Sequence, residues 1–226
     1  FDPSVDQERA FKPSDLGYSI LGVFILWAGW WGFNGGSVLA YNNKVAVVIL
    51  STNLAGAAAG ISAYLHAFIS DRKNTIAKMM GGTLGGLVAI TPCCDVVLTW
   101  HALVIGVLAG VLHNHAVDLM ERWRLDDPVG AVAVHAVCGS FGTICVGLFA
   151  NPAQIARFEL CTDPQSGCVR PGVLAGGGFD QLIVQTMGVL IAFVLSVVLA
   201  YLTFKVVDTL FGLRVSEKYE QDGFYS

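Results

Sequence analysis

In "VGAVAVHAVCGSFGTICVGLFA", residues 129–150, there is no Asp, Glu, Lys or Arg, yet His135 stands two turns into the run. An ionisable ring at such a place faces a bundle interior or a water-filled path, since lipid cannot solvate it, or else it is a neutral histidine bonded to a neighbouring helix. His66, His101, His113 and His115 lie nearer the ends of their runs or beside Asn114. These four read as interfacial side chains whose polar tips reach the headgroup level.

A second stretch with chemical content is "WAGWWGFNGGS", residues 27–37, which combines three Trp, Phe33, Asn34 and Ser37 with interspersed glycines. Glycine permits close approach and helix irregularity, while Trp and Phe faces attract a cation through the ring quadrupole. An interfacial aromatic belt would account for Trp27 or Trp31 but not for the whole cluster with its Asn and Ser. A third stretch is "AITPCCD", residues 89–95, where Pro92 removes a backbone donor inside an apolar run. The carbonyl so freed must be satisfied by a pore or a neighbouring helix.

The cysteines divide into two sets. Cys93, Cys94, Cys138 and Cys145 sit in or beside apolar runs and read as small buried residues. Cys161 and Cys168 are separated by six residues in the one long loop. An oxidising exterior would allow a disulfide between them, two free thiols being the alternative. No set of four spaced ligands accompanies them, so a zinc site is not expected.

The elements that must position these residues follow from composition. Of 226 residues 54% are hydrophobic and 13% charged, against roughly 25% charged in an average soluble domain, and mean hydropathy is +0.63. Charge-free runs cover residues 16–43, 45–70, 79–94, 96–117, 128–156 and 181–204. Five of the six exceed the roughly 20 residues that cross a bilayer as a helix; the shorter one is extended at its start by residues 75–77 or is a broken helix. A soluble helical bundle would need polar faces at a 3.6-residue period, which these runs lack. "AGAAAG" (55–60) and "GGTLGG" (81–86) are small-residue stretches of the kind that let helices approach closely in lipid.

Six crossings place both ends of the chain on one side. Taking that side as cytoplasmic puts ten of the thirteen basic residues inside, with Lys44, Arg157 and Arg170 outside, as the positive-inside rule demands. The expected organisation is a polar cytoplasmic lead-in at 1–15, a membrane domain at 16–211 and a cytoplasmic tail at 212–226. Without an initiator Met or a secretory pattern, the chain reads as processed or cut. No Ser/His/Asp set, P-loop, dinucleotide fingerprint or metal-spaced cluster appears, so neither enzyme chemistry nor a cofactor is expected. A net charge of −4 points to no nucleic acid.

Four segments, "GWWGFNGGS", "GLVAITPCCD", "DDPVGAVAVHAVCGSFGTICVGLFA" and "GLRVSEKYEQDG", resemble in order and spacing the signature segments of the ammonium transporter family (Amt/Mep/Rh). The resemblance runs over nearly the whole chain. It implies an all-α membrane protein of eleven spans, built as two inverted five-helix repeats and a closing helix, assembled as a homotrimer in the plasma membrane with one narrow pore per subunit. The six runs match spans six to eleven.

By the same resemblance His135 matches the second of two pore histidines that bind or relay protons, and Phe33 matches an outer gating ring. Ser37 matches the hydroxyl of the outer site that recruits ammonium, while Trp30 and Thr91 match pore-lining positions. The cargo implied is ammonium or ammonia.

Three features depart from the family pattern. Cys93, Cys94 and Asp95, with His101 a little later, stand where many relatives have a glycine-rich turn. The tail has Phe224 and Tyr225 in place of the usual Leu and Asp, and it then ends. These departures count against regulation of the tail by a P-II signal protein, which is one partner the resemblance implies. A fused cytoplasmic signalling domain, which would make the module an ammonium sensor rather than a transporter, is the alternative expectation for the tail.

Overall fold

The computed structural model describes residues 15–70, 72, 74–125, 127–160 and 168–214, and among them the chain is helical with no strand. Its helices are α1 (Leu16–Gly36), α2 (Asn43–Ser70), α3 (Thr75–Ile90), α4 (Thr99–Arg122), a π-helical turn (Ala131–Val137) running into α5 (Cys138–Phe149), the short α6 (Pro152–Phe158) and α7 (Asp180–Phe211). Five segments are long and apolar enough to cross a membrane: α1, α2, α4, the π-turn with α5, and α7. The sixth, α3, has 16 residues and begins at Thr75, so the extended form of the shortest run is the one adopted. At 1.5 Å per residue it measures about 24 Å, slightly less than the hydrocarbon thickness of about 30 Å.

The ends of the helices follow from local sequence. Asp15 caps α1 by accepting from the Tyr18 amide at 3.0 Å. Asn151 accepts from the Ala153 amide at 3.0 Å with Pro152 in the first turn of α6, a position where the missing N–H has no partner to lose. Pro92 lies beyond the last turn of α3, in the turns at 91–96. This corrects the reading of a proline inside a span. The carbonyls at the end of α3 are satisfied locally: Thr91 Oγ1 donates to Leu87 at 2.8 Å, the Cys93 amide donates to Ile90 at 3.0 Å, and the Cys93 thiol reaches Ala89 at 3.5 Å.

Residues up to Gln185 form one compact unit, and its interior is made of small side chains. Ala55, Ala59, Ala63 and Ala67 on α2 are fully buried. A Cβ added to Gly82 or Gly86 of α3, or to Gly106 or Gly110 of α4, would collide with this alanine ridge or its carbonyls. Contact this close lets dispersion act between helices where lipid supplies no hydrophobic drive. The second unit begins at Thr186, and through residue 211 it is helix with apolar side chains largely exposed, as suits a surface facing lipid.

At the end of the unit formed by the turns 91–96 and the loop around α6, Lys44 pairs with Glu159 at 3.4 Å and Arg170 pairs with Asp180. The opposite end carries Arg72, Lys78, Arg122 and Arg124. These are called the loop end and the basic end below.

Candidate functional site

Four of the five singled-out pore residues form one connected set at the loop end of α1. The Trp30 indole donates to Thr91 Oγ1 at 2.8 Å, and Thr91 uses its own proton on the Leu87 carbonyl. Phe33 meets Trp30 edge to face, with ring centroids 6.0 Å apart. Ser37 follows one turn later, its hydroxyl donating to the Phe33 carbonyl at 2.6 Å. Because that bond consumes the proton, the lone pairs of Ser37 Oγ face outward as acceptors. Phe33 and Ser37 are exposed and Trp30 is half-buried.

Asparagines fix the remaining side of α1. Trp27 and Trp31 both donate to Asn53 Oδ1, at 2.9 and 2.8 Å, while buried Asn34 donates to Thr52 at 3.0 Å. The tryptophans are therefore tied to α2 by hydrogen bonds, which an interfacial belt would not require. What the set offers chemically is an outward hydroxyl acceptor beside aromatic faces, a combination that suits a small cation carrying N–H groups.

His135 stands apart. It sits in the π-helical turn with its ring exposed, and among the described residues no hydrogen bond or ring contact joins it to the Trp30 set. Single π-turns within helices recur at functional positions. Asp127 builds this one: its carboxylate accepts from the amides of Ala131 at 2.7 Å, Val132 at 2.9 Å and Ala133 at 3.4 Å. Sequence reasoning passed over Asp127, although an Asp just ahead of a charge-free run is an N-terminal capping signal.

Two histidines expected at the interface are buried instead. His101, 7% exposed, accepts from the Leu98 amide at the start of α4 and lies between the rings of Trp100 and Phe149. His113, 2% exposed, is bonded to Asn114. Both have protein partners for a ring nitrogen, which removes the need to reach water. In the turns at 91–96, burial pushes the Asp95 carboxyl up, against the opposing pull of its own and the Val96 amide.

Cys93, Cys94, Cys138 and Cys145 are free and buried. Cys168 is disulfide-bonded, and Cys161 lies outside the described residues, as do the lead-in at 1–14 and the tail from 215 onward. Among the described residues no cluster of His, Cys, Asp or Glu could hold a metal ion.

The chain is 37% identical over 213 residues to an ammonium transporter of Mycobacterium bovis, covering 94% of this chain and 43% of that protein. Among solved structures it superposes on a "Sensor Amt Protein" with a TM-score of 0.79 at 34% identity, covering 92% of this chain and 48% of the other. For Saccharomyces cerevisiae Mep2 the TM-score is 0.80 at 31% identity, covering 92% and 46%. The chain thus spans under half the length of these relatives. Residues 2–224 match the Ammonium Transporter Family, and the chain, a multi-pass helical membrane protein of a family of transporters rather than enzymes, belongs to it.

Proposed function

We propose that the chain contributes one wall of a pathway for ammonium and ammonia, with Ser37 and Phe33 at an outer recruitment site, Trp30 and Thr91 lining the path behind it, and His135 in its dry section. The reading is carried by the connected set Ser37, Phe33, Trp30 and Thr91, which presents an outward acceptor and ring faces together. Ammonium entering an apolar passage loses its hydration at a cost of several kcal/mol, whereas neutral ammonia does not. A site that holds the ion by a hydroxyl and aromatic faces, then lets ammonia continue past a histidine acceptor, meets that difficulty. Potassium has neither N–H donors nor a removable proton, so the same site disfavours it.

The supporting observations extend to placement. Ten of thirteen basic residues on one side support a plasma-membrane protein with a cytoplasmic C-terminus. The four free cysteines and bonded Cys168 support a Cys161–Cys168 bridge in the outer loop. A homotrimer, and a P-II-type regulator or fused signalling domain on the tail, rest on family membership alone.

The test is methylammonium uptake recorded together with membrane current in vesicles holding the complete protein, with and without His135→Ala. Saturable uptake with current in the parent, and an altered rate or selectivity in the variant, are expected. Transport unchanged by His135→Ala would remove the histidine from the pathway. A second reading, an ammonium sensor, is favoured by the 34% identity to the chain described as a sensor; tight ammonium binding with neither uptake nor current would select it.

A further inference from the structure

At the basic end, a cavity of about 490 Å³ opens between α1, α3, α4 and the approach to the π-turn, lined by Leu26, Lys78, Gly81, Leu84, His113 and Asp127 among others. Of its charged groups, Lys78 is paired with Asp118 at 2.6 Å and Asp127 is engaged by three backbone amides, while Glu121 lines the rim. His113 is a polar group of this lining, together with Ser19 and Asn74. It is 2% exposed, and a Cβ on Gly81 would collide with its Nε2 and Cε1, so the ring needs the bare glycine backbone beneath it.

The protonation state of this ring follows from its neighbours. The Asn114 Nδ2 lies 2.7 Å from the Ala63 carbonyl oxygen, which can only accept, so the amide orientation is fixed. Its second N–H points to His66 Nδ1 at 3.3 Å, which must then accept as well. That leaves Asn114 Oδ1 facing His113 Nδ1 at 3.2 Å, and an amide oxygen requires the proton on Nδ1. In the neutral ring Nε2 is consequently a bare acceptor, and it has no hydrogen-bond partner among the described residues.

We propose that His113 Nε2 is an inner acceptor site for a small N–H donor of the ammonia/ammonium class, held in its acceptor tautomer by Asn114 and distinct from both His135 and the Trp30–Phe33–Ser37 set. This rests on the transport reading for the identity of the donor. Nε2 belongs to a ring 2% exposed and is an acceptor without a partner among the described residues, in a cavity lined by Asp127, whose carboxylate caps backbone, and Glu121. A molecule that donates N–H relieves it, while a metal cation meets a single nitrogen and an alkali ion meets no oxygen cage.

The experiment is ¹⁵N NMR of the complete protein labelled at histidine, with the His113 signals assigned by comparison with His113→Leu, while methylammonium or potassium chloride is added. The Nε2 signal shifts saturably with methylammonium and stays in place with potassium, and Nδ1 remains protonated throughout. In vesicles, His113→Leu raises the half-saturating methylammonium concentration at the basic face by about tenfold, the scale of one lost hydrogen bond. An Nε2 signal unmoved by saturating methylammonium while uptake proceeds overturns the inner site and leaves transport standing; so does an equal response to potassium. Absent uptake with a saturable Nε2 shift keeps the site and removes transport instead. Should His113→Leu fail to fold, His113→Gln supplies the assignment, and the central observation is still made on the unmutated protein.

Discussion

The two ends of the molecule hold their polar groups in opposite ways. At the loop end, Phe33 and Ser37 lie exposed on α1, a helix in which only Asn34 and Gly35 are buried, and a single bond from Trp30 to Thr91 ties their set to α3. At the basic end Lys78, His113 and Asn114 are 4%, 2% and 0% exposed; Lys78 pairs with Asp118, and His113 is bonded to Asn114, which donates to the α2 backbone at Ala63. The loop end thus presents atoms to whatever covers α1, while at the basic end the buried polar side chains are held by partners within the protein. An exposed acceptor can exchange partners with water at little cost, but a buried one is set by its neighbours before any cargo arrives.

The largest effect that would break this contrast is expected at the buried ion pair. Replacing Asp118 by Asn takes away a counter-charge 2.6 Å from a Lys78 side chain that is 5% exposed, and unfolding in detergent should show a loss of about 3 kcal/mol. Lys78→Met combined with Asp118→Leu should recover most of it, since apolar groups replace both charges. The exposed pair Arg170 and Asp180, with side chains 63% and 68% exposed, serves as the control. There Asp180→Asn should change stability by less than about 1 kcal/mol. Equal losses at the two pairs would mean that burial does not separate the two ends.

An intermediate effect sharpens the loop-end half of the contrast. Thr91→Val keeps the shape but removes the acceptor for Trp30 and the donor to Leu87. The expected destabilisation is about 1–2 kcal/mol, read from chemical unfolding. Trp30→Phe combined with Thr91→Val should cost less than the sum of the single changes, because one bond is lost twice in that sum. Full additivity would show that the Trp30–Thr91 bond holds nothing together.

Much of this was legible in the sequence, for physical reasons that differ by region. The spans are visible because lipid imposes unbroken apolar runs, and even the short α3 begins at Thr75 as its extended run suggests. "WAGWWGFNGGS" stood out because its polar and aromatic residues crowd a stretch that should otherwise be lipid-like. His113 was misread because position along a run was used in place of helical phase. Ala102, Ile105, Gly106, Ala109, Gly110, His113 and Asn114 share one face at three- and four-residue spacing, and all are buried. Continuing that small-residue face would have placed the pair inside. Asp127 was missed since capping of a π-turn leaves only an acidic residue before an apolar run, a pattern shared with ordinary loops.

The smallest effect on stability is expected at Ser37, and it tests the contrast most directly. Its hydroxyl is exposed and bonds only to the Phe33 carbonyl in the same helix; water can replace it there. Ser37→Ala should therefore shift unfolding by no more than about 0.5 kcal/mol. Methylammonium uptake by the complete protein should nonetheless need a several-fold higher concentration for half-saturation, about what one lost hydrogen bond to a cation would produce. A hydroxyl that mattered only as a helix cap would do the reverse, lowering stability and leaving uptake unchanged. The pairing of a silent stability change with a visible affinity change is what an exposed acceptor, kept free for a ligand, requires.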